Sequence, residues 1–153
     1  MTNNQSSELF IQTLGTPRPQ PRPRFFEGRV IANSNPNAQL WKRTLVASFL
    51  AHKQAQGWKQ PQPDQSIAVA MVFMFATPDK SRWKTNHNHK PDTDNLAKLV
   101  LDVMTQVGIV EDDCIVSRLM VEKRWCKEGD EGLLMSVCSL AGGKGRKKIK
   151  KDS

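Results

Sequence analysis

IAVAMVFMFATPDKSRWKTNHNHKPDTDNLAKLVLDVMTQV, residues 67–107, joins the longest unbroken apolar run of the chain to its most strongly patterned helix. The run Ile67 to Ala76 is well short of the ~20 residues that cross a bilayer. Its bounded length and its Ile, Val and Phe content read as a strand buried on both faces. Leu96 to Val107 repeats instead with helical period, and Gly108 is placed to end it. At about 100° per residue, Asp94, Asn95, Lys98, Asp102, Thr105 and Gln106 share a polar arc about 120° wide. Leu96, Ala97, Leu99, Val100, Leu101, Val103, Met104 and Val107 fill the remainder, so the helix packs on most sides while one narrow stripe reaches an opening. A plainer reading of that stripe is that Asp94 and Asp102 bracket Lys98 as i, i+4 ion pairs.

Outward from this stretch, Ile115 to Trp125 alternates, with Ile115, Leu119, Val121 and Trp125 on one side and Arg118, Glu122 and Arg124 on the other. KEGDEG turns it and Leu133 to Leu140 returns, which predicts an antiparallel hairpin. Upstream, Asn35 and Pro36 form an N-cap and first-turn pair, and Ala38, Trp41, Leu45, Phe49 and His52 then recur at helical spacing until Gly57. Glu8 to Leu14 alternates as a short strand. Gly15 opens TPRPQPRPR, whose four prolines exclude a helix or a central strand and leave an extended basic segment. Phe25 to Ala32 is a candidate returning strand. The fold class is therefore α+β: one mixed domain over residues 1–141, a small sheet with an antiparallel hairpin packed against two main helices, and a basic disordered tail at 142–153.

The 153 residues suit a single core, and a chain of this size folds without disulfides or a structural metal. Cys114, Cys126 and Cys138 are odd in number and widely spaced, which reads as reduced, buried thiols of a cytoplasmic protein. With no apolar run long enough to span and no signal-peptide core in MTNNQSSE, a membrane or secreted protein is not expected. Lys and Arg total 23 against 15 Asp and Glu, a balance of +8, which points to a polyanionic partner, nucleic acid first. The last twelve residues, GGKGRKKIKKDS, hold six cations and one anion and so supply +5 of it. Arg18, Arg22 and Arg24 on the proline-rich segment, and Arg82, Lys84 and Lys90 on the polar segment TPDKSRWKTNHNHK read as a surface loop, are the candidate DNA-binding residues. The tripeptide His87-Asn88-His89 does not make an HNH nuclease, whose three named residues come from separate parts of a metal finger.

Against this cationic background, residues 92–113 hold six of the fifteen acids, Asp92, Asp94, Asp102, Glu111, Asp112 and Asp113, and the single cation Lys98. Carboxylates about 4 Å apart repel by roughly 4 kcal/mol at an effective dielectric near 20, so their convergence calls for a cation. An acidic cluster in a phosphate-seeking molecule is the charge layout of a metal-dependent nuclease. Asp92 and Asp94 are two apart before the helix; in an extended segment both point to one side and can share an ion. Asp113 offers a third oxygen, and Lys98 is placed to orient water or balance charge on the phosphate. Asp-x-Asp alone also occurs in glycosyltransferases, phosphatases and calcium loops, although Ala97 stands where an EF-hand needs glycine.

The stretch KPDTDNLAKLVLDVMTQVGIVEDDCIV, Lys90 to Val116, closely resembles the RusA family of Holliday junction resolvases found in phages and prophages. Asp92, Asp94, Asn95, Leu96, Lys98, Asp102, Gly108, Asp112 and Asp113 stand at the positions of that pattern, and TPRPQPRPRF adds a weaker match. The resemblance implies a homodimeric, Mg²⁺-dependent endonuclease that nicks two opposed strands of a four-way DNA junction. It places metal ligands at Asp92, Asp94 and Asp113, an essential lysine at Lys98, and supporting roles at Asp102 and Asp112. Mn²⁺ is expected to substitute for Mg²⁺. The alternatives are a non-catalytic DNA-binding protein of the same fold and a metal-dependent phosphotransferase or other nuclease acting on linear DNA.

Overall fold

The computed structural model describes residues 8–22, 24–31 and 35–140. A four-stranded sheet has the order β1-β6-β4-β5, where β1 is Glu8–Leu14, β4 Ser66–Ala76, β5 Val116–Cys126 and β6 Gly132–Leu140. Two short strands, β2 (Arg24–Phe26) and β3 (Arg29–Ile31), form a separate ribbon, and α1 (Pro36–Ala55) and α2 (Thr93–Gln106) complete the domain. The α+β class and the two main helices are as expected. Among the described residues no helix is long and apolar enough to cross a membrane.

The predicted hairpin is corrected. β5 and β6 do not pair; both pair with β4, β5 in parallel and β6 antiparallel. β4 holds the longest apolar run, and the central position gives its whole backbone partners on both edges. The KEGDE link needs to reach only across one strand, about 10 Å, which five residues span easily. β4 is also buried on one face only. Ile67, Val69, Met71 and Phe73 are buried, whereas Ala68, Ala70, Val72 and Met74 between them are half-exposed. The run read as unbroken because both faces are apolar.

Register puts the buried side chains of β1, β4 and β6 on one side: Met71 faces Met135 and, in β5, Val121, and Ile11 faces Met135 from β1. Both helices cover that side. Trp41, Leu45 and Phe49 of α1 and Leu96, Leu99, Val100, Val103 and Met104 of α2 belong to the same core. Asn35 caps α1, its side-chain oxygen accepting from the amides of Asn37 and Ala38 at 3.0 and 3.4 Å. Gly108, at φ 76°, ends α2 as read. The opposite side of the sheet lies open among the described residues, with Phe10, Met120 and Leu134 exposed.

Phe25 to Ala32 is not one strand but the β2–β3 ribbon, folded at Glu27 and Gly28, both at positive φ; Ala32 lies outside the described residues. The tail at 142–153 lies outside them too. No disulfide links the three cysteines, and only Cys126 is buried, Cys138 being half-buried and Cys114 exposed.

Candidate active site

α2 begins at Thr93, three residues before the apolar repeat, because Asp92 takes the N-cap position. This changes the geometry of the acidic pair. Asp92 and Asp94 are not two residues of an extended segment but the N-cap and first turn of a helix, where positions two apart face roughly opposite ways, about 200° around the axis. Asp94 turns to the cleft between α2 and the edge strand β5. The carboxylate of Asp92 makes no capping bond and accepts instead from Lys90 Nζ at 3.0 and 3.2 Å. That contact holds the Asp92 carboxyl below its ordinary range.

The cleft has a volume of about 320 Å³ and is lined by Asp94, Lys98 and Asp102 from α2, Asp113 from the turn before β5, and the side chains of Leu119 and Val121. The polar stripe read from the sequence is the exposed face of α2, and its apolar positions are buried or half-buried. Asp113 starts a short turn of helix, Asp113–Ile115, whose amide at Cys114 donates to the Asp112 carboxylate at 2.9 Å. Asp112 is thus a cap, and Asp113 faces the cleft. Partial burial, and after it the hydrogen bond its protonated form donates to Asp112 and the charges of Asp112 and Asp102, push the Asp113 carboxyl up. Among the described residues no three His, Cys, Asp or Glu side chains are close enough together to hold a metal ion. The cleft itself gathers three of the acids, on facing walls.

Two connections that the sequence reading missed position this cleft. Lys123, on the helix-facing side of β5, donates from Nζ to the carbonyl oxygens of His89 and Pro91 at 2.6 and 2.8 Å, tying down the chain just before Asp92. The alternation of β5 placed Lys123 on the buried side, which was the available signal. The second is the proline-rich arm. Gly15 lets it pass the ring of Trp41, which a Cβ there would approach to 3.1 Å. Farther along, the Gln20 amide donates to the Asn95 carbonyl at 3.1 Å, and Arg22 Nε and Nη2 donate to Asn95 Oδ1 at 3.3 and 3.1 Å. Arg22 Nη2 also lies 3.7 Å from Asp94.

The remaining basic candidates are spread out. Arg82 pairs with Asp79 at 3.4 Å and lies over Trp125, Lys84 stands beside Trp83 at the end of the open sheet face, and Arg18 is half-buried on the arm. The side chain of Arg24 lies outside the described residues. The segment between β4 and α2 is not wholly a surface loop. His87 is buried, stacked on Phe75 and against Trp125, and its amide donates to the Lys123 carbonyl at 2.9 Å.

The family model described as endodeoxyribonuclease RusA matches residues 15–131, which include the arm, both helices, the cleft and β5. The chain belongs to the RusA endodeoxyribonuclease family. It is accordingly an endonuclease of the kind that acts on Holliday junctions, and its family generally depends on a divalent metal. No curated protein matches the chain.

Proposed function

We propose that this RusA-family chain resolves four-way DNA junctions by paired symmetric nicks, with Mg²⁺ held by Asp92, Asp94 and Asp113 and with Mn²⁺ able to replace it. The observation that carries this reading is the meeting of Asp94, Asp102 and Asp113 with Lys98 in one cleft. The donors are carboxylate oxygens only, the set that suits a hard divalent ion. Neighbouring carboxylates that raise the proton affinity of Asp113 favour a cation for the same electrostatic reason. When bound, the ion supplies charge neutralisation at the phosphodiester and activation of the attacking water.

The side chains divide the remaining work. Asp94 and Asp113 bind from opposite walls. Asp92, which does not line the cleft, would join them by leaving Lys90, an exposed ion pair of a kind that contributes little, and turning inward. Lys98 donates to the phosphate oxygen on which negative charge grows and orients the attacking water. Asp102 and Asp112 support, Asp112 by fixing the turn that carries Asp113. Arg18, Arg22, Arg24, Arg82, Lys84 and Lys90 contact phosphates of the branched DNA and set its register without reading bases. A two-fold junction needs two related cuts and each chain holds one acidic cleft, so the active species is a homodimer, working in the cytoplasm in recombination and repair.

Purified protein with Mg²⁺ on a synthetic four-way junction, a duplex and a single strand tests the reading. Paired nicks in the junction alone are expected. Binding without nicks would favour a non-catalytic junction binder, and duplex cutting a nuclease of linear DNA. Asp94→Asn is expected to abolish nicking while leaving junction binding in a gel-shift assay intact or tighter, because it removes negative charge beside phosphate. Equal loss of binding would contradict the assignment.

A further inference from the structure

Asn95 lies within the first turn of α2 and uses both of its oxygens on the arm. Its main-chain carbonyl accepts from the Gln20 amide, and its side-chain Oδ1 accepts from Nε and Nη2 of Arg22. Pro21, between those two contacts, has a fixed φ and no N–H of its own, so Gln20 and Arg22 present to the same side of an extended chain. The guanidinium is therefore oriented by two bonds to one atom. Neither bond uses Nη1, which leaves that end of the fork for a ligand.

The chemistry of the acceptor matters. Asn95 is neutral, so it fixes the direction of the guanidinium without cancelling its charge. The carboxylate of Asp94 lies within ion-pair range of it, at 3.7 Å, with both side chains largely exposed at 68 and 73%, and the Asp92 carboxylate feels its charge from farther off. Such a contact is loose and screened by water. A cation taken up by Asp94 would compete with Arg22 for that carboxylate and release the guanidinium to a phosphate at the same spot. Arg offers a planar fork matched to two phosphate oxygens, which Lys lacks.

We propose that Arg22 binds the scissile phosphate beside Asp94, with Asn95 as the positioning residue that aims it, so that the proline-rich arm is part of the active site and not only a DNA tether. This rests on the nuclease reading above and adds a residue pair to it.

The test compares wild type with Arg22→Met, Arg22→Lys, Asn95→Ala and the double variant Arg22→Met/Asn95→Ala. Three quantities are read: the single-turnover nicking rate at saturating protein, junction binding in EDTA, and Mn²⁺ uptake by the DNA-free protein in calorimetry. Arg22→Met is expected to slow nicking about a hundredfold. Its junction binding is expected to stay within about tenfold of wild type, and its Mn²⁺ uptake to be undiminished. Arg22→Lys, which keeps the charge and the fold, falls between wild type and Met. Asn95→Ala slows nicking too, and adds little in the Arg22→Met background, because the two act as one unit. Wild-type nicking by a saturated Arg22→Met protein would overturn the proposal, as would an Asn95→Ala effect undiminished in the double variant, or a loss of Mn²⁺ uptake that accounts for the lost rate. A wild-type protein inert on junctions with either metal would instead overturn the nuclease reading itself.

Discussion

Lys123 shows how one side chain can set the geometry of a site it does not line. Its ammonium satisfies two carbonyls on either side of the residue before Pro91 and Asp92. Lys123→Met leaves both oxygens to water or unpaired, at a cost of about 1–3 kcal/mol. We expect a modest fall in melting temperature and a much larger fall in nicking rate, with near-normal junction binding. An unchanged rate would show that the segment holds its place without the tether. His87 makes a pH statement at the same scale. Burial first, then the charge of Lys123, depresses its pKa, and its Nδ1 has no hydrogen-bond partner among the described residues. A depressed histidine binds fewer protons folded than unfolded, so its contribution is full above the ordinary histidine value of about 6.5 and is lost as pH falls below it. Melting temperature should drop between pH 7.5 and 5.5 in wild type, and less so in His87→Phe, as differential scanning calorimetry would record.

Elements explain why some of the sequence reading held and some did not. At the start of β6, a Cβ on Gly132 would overlap the Thr13 carbonyl of β1. Gly132→Ala should therefore cost about 1–3 kcal/mol in urea unfolding; a neutral result would mean that β1 can shift. Local signals were legible: the cap at Asn35, the stop at Gly108, the alternation of β5 and the polar stripe of α2 all follow from short-range sterics and periodicity. Strand partnership was not, because adjacency in sequence favours a hairpin while the insertion of β4 between β5 and β6 is decided by long-range burial. The acidic cleft was half legible. Spacing brought Asp94, Lys98 and Asp102 to one helical stripe, but whether Asp92 lay in strand or cap geometry depended on where α2 starts, the least determined feature of a helix. The arm's docking on Asn95 had no signal beyond its charge.

For the whole molecule, the open side of the sheet is the large feature without a cover among the described residues. Phe10, Met120 and Leu134 stand exposed there at 60, 48 and 42%, beside the half-exposed Ala70, Val72 and Met74. A junction with two-fold symmetry calls for two clefts, and this face suits the second copy that would supply the other. Sedimentation should give the mass of two chains, and Leu134→Asp, which touches neither cleft nor core, should give the mass of one with a normal far-ultraviolet spectrum. A wild-type monomer at micromolar concentration would remove this face from consideration.

β5 ends the sheet, its outer edge bonded only near Lys123–Trp125 to the segment Lys84–His87, yet Asp113 precedes it, Lys123 projects from it, and its Leu119 and Val121 floor the cleft. Warming that peels this border ribbon from β4 would scatter the reactive groups while the helices and the other three strands stay assembled. Inactivation should then arrive ahead of global melting, and return on cooling.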